Sequence, residues 1–427
     1  DIKARSVRPV WITVSIPADA PAGEYASTVK VYVKGRQLRT FDIGLTVIGR
    51  ELPPPAEWNY YLDLWQHPAA VARVEGLDLW SDAHFEALVP YMRLLADAGQ
   101  KVVTTTLNKD PWNNQCFDAY ADMIVWTKNA DGSWSYDYTV FDRWVELMTG
   151  LGIDRTINCY SMLPWNNELH YRDGSTGRFV DVTADPGTPA FEALWEPFLT
   201  DFTGHLRKKG WLGRTNIAMD ERSPEEMTDA LGLLRKTAPE LGIAMADNKN
   251  SYLNYPFINS MCVKVRDRVP PQHIAERRAQ GFITTYYVCC SDRFPNMFTF
   301  SAPAEAVYAG WYMAACGYDG FLRWAYNSWV GEPLTDSRFR TFPAGDTYII
   351  YPGARSSVRF ERLVEGIQDA EKISILKKEF AAKGTPEAAS RLEQLETLLS
   401  GFATITPEKG WPDRLSRAKR KLNELSR

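Results

Sequence analysis

Three observations predict an α/β chain: a (β/α)8 barrel of TIM type, a partial antiparallel β-sandwich before it and a helical tail after it. Eight short apolar stretches alternate with amphipathic helical ones between residues 58 and 373, the rhythm of a closed parallel sheet. No glycine-rich fingerprint follows the first of these strands, which disfavours a doubly wound nucleotide-binding sheet. Ahead of residue 51 the pattern is instead strand after strand, with no helix between.

The elements follow in order. Residues 1–50 carry three strand-like stretches, VWITVSI (10–16), YASTVKVYV (25–33) and LRTFDIGLTVI (38–48), with PADAPAGE and KGRQ as turns. Three strands with open edges make a poor domain alone, so this reads as the last part of a sandwich. The chain opens at Asp1 with neither an initiator Met nor a signal peptide, which predicts a processed or truncated chain. ELPPPAE (51–57) is a stiff linker.

The barrel, 58–373, takes its strands from NYYLDLW (59–65), KVVTTTL (101–107), TINCYSML (156–163), TNIAMDE (215–221), IAMADN (243–248), CVKV (262–265), ITTYYVCC (283–290) and GFLRWAY (320–326). DAHFEALVPYMRLLADAG, SPEEMTDALGLLRKTAPELG and APAEAVYAGWYMAACG supply helices, with apolar residues at helical spacing and a closing glycine. The tail, 374–427, is rich in Lys, Glu and Leu and reads as helices packed on the barrel, broken at GWPD (410–413).

Composition narrows the function. A net charge of −4 gives no electrostatic case for nucleic acid, and no apolar run is long enough for a membrane span. The six cysteines form no C-x-x-C pair, and His170, His205 and His273 show no ligand spacing, so neither a metal nor another cofactor is expected. Aromatics reach 13%, with 15 Trp and 20 Tyr; much of that is core, yet flat rings also stack on sugar faces.

In such a barrel the chemistry sits at the C-terminal ends of the strands. Those ends bring Asp63 and His67, Asn108, Asp220 and Glu221, Tyr286 and Tyr287, and Trp324 and Asn327. Acids, amides and aromatics with few cations describe a neutral carbohydrate site. Asp220 and Glu221 are adjacent, whereas side chains on a regular strand alternate faces. Where the strand bends into its helix both can face the mouth, and two carboxylates so close should raise one pKa. That division of labour suits glycoside hydrolysis; the alternative is that one acid only caps the helix that follows.

Neighbouring acids fit poorly with mechanisms that place two carboxyls across the scissile bond. They fit substrate-assisted hydrolysis, in which the sugar's own 2-acetamido oxygen attacks, one acid steadies that group and the other protonates the leaving oxygen. Asp63, His67, Asn108 and Asn327 are candidates for reading sugar hydroxyls, Trp324 for flooring the sugar, and Tyr286 or Tyr287 for binding the acetamido oxygen.

The acid pair after TNIAM, the strands ITTYYVCC and GFLRWAYNSW, and the late RFERLVEGIQDAEK together resemble glycoside hydrolase family 123. WITVSIPADAPAGEYASTVKVYV resembles the end of that family's N-terminal sandwich. The resemblance spans about residues 5–375 and implies a retaining, substrate-assisted β-N-acetylgalactosaminidase that is secreted or periplasmic. Its substrate is then an oligosaccharide or glycolipid glycan ending in N-acetylhexosamine. By the same match Asp220 is the acetamido stabiliser and Glu221 the acid/base. The alternatives are a barrel glycosidase of other specificity, such as β-N-acetylglucosamine, and a non-catalytic carbohydrate-binding protein.

Overall fold

The structure, a computed structural model, describes residues 5–7 and 10–427. The part of the expected sandwich that falls on residues 1–4 and 8–9 lies outside the described residues. Strands β1 (Gly23–Val33) and β2 (Arg36–Val47) form an antiparallel hairpin. Its turn, Lys34–Gly35, has both φ angles positive, +48° and +78°, the geometry that matches strand twist in a two-residue hairpin loop. Residues 10–16, expected as a strand, form none. A strand needs a ladder partner, and among the described residues nothing pairs with them.

The centre is a parallel eight-stranded sheet: β3 (Tyr61–Leu64), β4 (Val102–Thr106), β7 (Thr156–Tyr160), β10 (Thr215–Asp220), β11 (Gly242–Asp247), β12 (Ser260–Lys264), β13 (Ile283–Tyr287) and β14 (Gly320–Arg323). In space it runs β3-β14-β13-β12-β11-β10-β7-β4. It nearly closes on itself, because a bridge joins Leu62 to Gln100 and Lys101 N–H donates to the Leu62 carbonyl at 3.0 Å. All eight expected strands are present, each ending earlier than expected, while β11 and β12 begin one and two residues earlier.

The strands alternate faces as a barrel requires. Leu62, Ile217, Ile243, Met261 and Tyr286 point outward into the layer under the helices, whereas Ala218, Ala244, Cys262, Tyr287 and Leu322 fill the interior. Gly320 lets β14 close on β3, since a Cβ there would lie 1.9 Å from the Tyr61 carbonyl oxygen.

Around the sheet lie α1 (Pro68–Glu75), α2 (Asp82–Ala96), α3 (Thr139–Gly150), α4 (Pro189–Lys209), α5 (Pro224–Thr237), α6 (Pro271–Ala279), α7 (Ala304–Cys316) and α8 (Val358–Lys383). Helix α2 is typical of their logic. Ser81 caps its start by accepting from the His84 N–H, and Phe85, Leu88, Met92 and Leu95 bury one face. Helices α7 and α8 touch at Gly310 and Gly366, where a Cβ on Gly310 would lie 2.1 Å from the Gly366 carbonyl oxygen.

The tail continues α8 and adds α9 (Pro386–Ser400) and α10 (Trp411–Leu425), so the expected border at 373/374 falls inside one helix. A second sheet, β5 (Val125–Lys128), β6 (Trp134–Asp137), β8 (Glu168–Asp173) and β9 (Phe179–Thr183), grows from the loops after β4 and β7 in the order β6-β5-β8-β9.

Candidate active site

Strand β10 sits between β7 and β11, with Ala218 opposite Tyr160 and Asp220 opposite Ala246. By alternation Ala218 and Asp220 face the interior and Met219 faces the helices. Glu221 should then turn outward. Instead its backbone adopts φ +49°, left-handed and uncommon for a residue with a side chain. Its N–H still bonds the Ala246 carbonyl at 2.9 Å, so the sheet continues while the side chain swings back over the mouth. There the Glu221 carboxylate accepts a hydrogen bond from the Tyr287 hydroxyl. One backbone rotation therefore puts both neighbouring acids in the same cleft.

Neither acid caps the helix beyond. Ser223 caps α5, and its side chain and that of Glu226 satisfy each other's backbone N–H groups in a complete capping box. Arg222 pairs with Glu226 and donates to the Trp165 carbonyl at 3.2 Å and to Asn167 Oδ1 at 3.0 Å. It pins the loop after β7 to the turn that bears the acids.

Two indoles from different loops meet at Asp220. Trp112 Nε1–H donates to Asp220 Oδ2 at 2.9 Å, and Trp165 Nε1–H donates to the Asp220 carbonyl at 3.1 Å. Burial pushes the Asp220 carboxyl up to about 8, and the neighbouring Glu221 charge adds to the rise. The Trp112 hydrogen bond and the Arg222 charge pull the other way. The raised acid of the pair is thus Asp220, the one that alternation keeps deepest.

The cleft they share has a volume of about 260 Å³. Trp65, Trp165, Tyr287, Trp324 and Phe342 give it aromatic walls, and Gln115, Lys264 and Ser291 supply polar groups. Trp324 lies 5.3 Å from Phe342, centroid to centroid, and Trp65 packs on Trp112 and Tyr160 at 4.8 Å each.

Of the residues singled out in the sequence, Asp220, Glu221, Tyr287 and Trp324 meet in this cleft. The other five do not line it. Tyr286 points outward, donates to the Ala309 carbonyl at 2.8 Å and packs among Tyr312, Tyr318 and Phe321, because it is the odd member of an alternating pair. Asn108 spends its amide on His170, donating to its carbonyl at 2.9 Å and accepting its N–H at 2.8 Å, and so ties β8 to the barrel.

Asn327 does the same for His67, accepting its N–H at 2.9 Å and donating to its carbonyl at 3.0 Å. His67 is itself buried, stacked on Tyr120 at 3.8 Å and 3.0 Å from Ser328 Oγ; burial pushes its pKa down to about 3, so it is neutral. Asp63 lies inside the barrel, pushed up to about 7 by burial.

Trp65 and Lys264 carried a usable signal, since each stands two residues after an inward-facing position, Asp63 and Cys262. Phe342 carried none; it arrives on the long loop after β14. Among the described residues no group of three His, Cys, Asp or Glu side chains is arranged to hold a metal, and no helix is long and apolar enough to cross a membrane.

A nearly closed parallel barrel whose mouth gathers two carboxylates among tryptophans has the architecture of a glycosidase. The comparisons agree and narrow the class: the description "Glycoside hydrolase 123, catalytic domain" matches residues 65–376, and the family's N-terminal domain matches residues 1–33. The chain belongs to glycoside hydrolase family 123.

Among solved structures it is similar to a family 123 glycoside hydrolase from Clostridium perfringens whose structural analysis concerns glycolipid glycan hydrolysis. The identity is 29%, the TM-score 0.86, and the match covers 96% of this chain and 77% of that one. SrfJ from Salmonella typhimurium, at 12% identity and a TM-score of 0.39 over 81% of this chain and 84% of that one, is too distant to bear on the fold or the site. No curated protein sequence matches the chain.

Proposed function

We propose that the protein is a retaining β-N-acetylgalactosaminidase that uses the substrate's 2-acetamido oxygen as its nucleophile. It acts on an oligosaccharide or glycolipid glycan ending in N-acetylhexosamine. The same reading takes the sheet as a (β/α)8 barrel of TIM type and the β1–β2 hairpin as the end of a β-sandwich.

The observation that carries it is the turn at Glu221, which puts two adjacent carboxyls on one side of one cleft. Facing acids suit nucleophile and acid/base roles across a glycosidic bond. Side-by-side acids suit one group that holds the acetamido and one that protonates the leaving oxygen. Asp220 takes the first role and Glu221 the second.

In the free protein the proton of the pair resides on Asp220, whose pKa is about 8. An acetamido N–H presented to Asp220 stabilises its charged form, and Glu221, beside the leaving group, is the proton donor in this reading. Tyr287, already bonded to Glu221, stands where it can follow that charge. Attack of the acetamido oxygen on the anomeric carbon expels the leaving oxygen, which takes the Glu221 proton, and forms an oxazolinium ion whose N–H the Asp220 carboxylate holds. Water activated by Glu221 then opens the ring with net retention. Trp324 and Trp165 offer faces for the sugar.

The test is a comparison of galacto- and gluco-configured thiazolines, which mimic the cyclised intermediate. Tight binding of the galacto compound, lost in Asp220→Ala, is the expected result. Tighter binding of the gluco compound moves the specificity to β-N-acetylglucosamine. Binding of neither overturns the substrate-assisted reading.

A further inference from the structure

Two strands away from the acid pair, β12 brings into the cleft a cation with no ion-pair partner among the described residues. Lys264 ends β12, two residues after Cys262, so alternation turns it inward at the rim; it is paired in register with Tyr287, whose hydroxyl holds Glu221. It lines the cleft, half-buried, and its ammonium has no ion-pair or hydrogen-bond partner among the described residues.

Nearby Arg266 and Asp247 already have partners, and the Glu221 carboxylate in the same cleft is held by Tyr287 rather than by a cation. Arg266 pairs with Asp292 at 2.8 Å. Asp247 accepts from the Lys249 N–H at 3.1 Å and from Ser251 Oγ at 3.0 Å. The charge of Lys264 is felt on the wall formed by Cys289 and Cys290, and the Ser291 hydroxyl lies on the same wall, 3.3 Å from Cys289 Sγ. A lysine left unpaired in a cleft with low-dielectric aromatic walls attracts an anion more strongly than the same lysine in open solvent.

We propose that Lys264 is a specificity residue for an oxyanion on the glycan, a sulfate ester or a carboxylate, carried by the N-acetylhexosamine or by the sugar to which it is linked. Ammonium at the end of a flexible stem suits a tetrahedral or planar oxyanion as a point charge, and Ser291 adds a hydroxyl donor within the cleft. The inference rests on the reading of this cleft as an N-acetylhexosamine site.

The experiment measures kcat/KM for an aryl β-N-acetylgalactosaminide, for its 4- and 6-O-sulfated forms, and for a neutral and a uronic-acid-bearing disaccharide. The enzymes are wild type, Lys264→Gln, Lys264→Glu and Lys264→Arg. The expected result is an anionic-over-neutral ratio that falls about tenfold or more in Lys264→Gln, as loss of roughly 1.4 kcal/mol of binding requires. It falls further in Lys264→Glu, is largely kept in Lys264→Arg, and in wild type shrinks as salt is raised.

A drop confined to the sulfated aryl substrates places the anion on the cleaved sugar, and one confined to the uronic-acid disaccharide places it on the aglycone. A ratio that is the same in all four enzymes overturns the proposal while leaving the glycosidase reading intact. Calorimetric binding of sulfated N-acetylgalactosamine separates the two failures. If no substrate is cleaved yet Lys264→Gln weakens that binding, the reaction is misassigned and the anion site stands. If wild type neither cleaves nor binds, both are overturned.

Discussion

Two strands of this barrel end in a pair of adjacent polar side chains, and the pairs behave differently. At the end of β13, Tyr286 and Tyr287 keep the alternation of a strand: the first is buried under the helices with its hydroxyl on the Ala309 carbonyl, and the second enters the cleft. At the end of β10, Asp220 and Glu221 break it, because Glu221 takes a left-handed backbone and both carboxyls line one cleft. A regular strand end supplies one functional group per two residues. A strand end with one inverted φ supplies two in a row, at the expense of backbone strain and of crowding like charges.

The comparison is broken most severely at the acids. Asp220→Asn should lower kcat/KM on an aryl β-N-acetylgalactosaminide by roughly 10²–10³-fold, the scale of losing a charge-stabilising group. Glu221→Gln should cost roughly 10²–10⁴-fold on a natural disaccharide and far less on an aryl substrate whose leaving group needs little protonation. Equal damage on both substrates would remove Glu221 from the acid role.

The tyrosine pair gives the next effect. Tyr287→Phe removes a hydrogen bond to a carboxylate and should lower kcat by about tenfold or more, the value of a bond to a charged group. Tyr286→Phe should leave kcat/KM unchanged and cost about 1 kcal/mol in urea unfolding, from the lost hydroxyl bond to the Ala309 carbonyl. A kinetic effect of Tyr286→Phe as large as that of Tyr287→Phe would mean that alternation does not separate the two rings.

Stability against pH examines the crowding. Because Asp220 titrates at about 8 in the folded protein and near its ordinary 3.8 when unfolded, the native state holds the extra proton across that window. Stability from this group is therefore full below pH 4 and is lost as pH rises toward 8. Thermal unfolding of wild type and Asp220→Asn should show Tm diverging in favour of the mutant from about pH 4 to 8 and a constant gap above. A gap independent of pH would mean that Asp220 is an ordinary exposed carboxylate. The backbone strain gives the smallest effect: Glu221→Gly abolishes activity yet should stabilise the fold by about 1 kcal/mol, since glycine tolerates φ +49°.

How much of this was legible depended on whether the signal was local. The eight strands showed as short apolar runs, and inward and outward positions then follow by counting two. The acid pair showed as a chemical oddity, two carboxyls where one should point away. The inverted φ that reconciles them left no mark, because glutamate is not a residue that announces a left-handed turn. His67, Asn108 and Asn327 stand at strand ends, where a polar side chain either reads a ligand or fastens a loop. What decides is a distant partner, the His170 backbone for Asn108 and the His67 backbone for Asn327, and no local pattern contains it. The second sheet of β5, β6, β8 and β9 was hidden for the same reason, since β5 pairs in parallel with β8, Thr127 lying opposite Arg172 far along the chain.

The central claim is that the inverted turn at Glu221 serves a reaction in which the substrate supplies its own nucleophile. The most direct measurement is kcat/KM for aryl β-N-acetylgalactosaminides whose acetyl group carries zero, one, two or three fluorines. Each fluorine weakens the acetamido oxygen as a nucleophile without changing the leaving group. A steep, stepwise fall along the series is the result predicted. A flat series, or a sugar trapped covalently on Asp220 or Glu221, would contradict it.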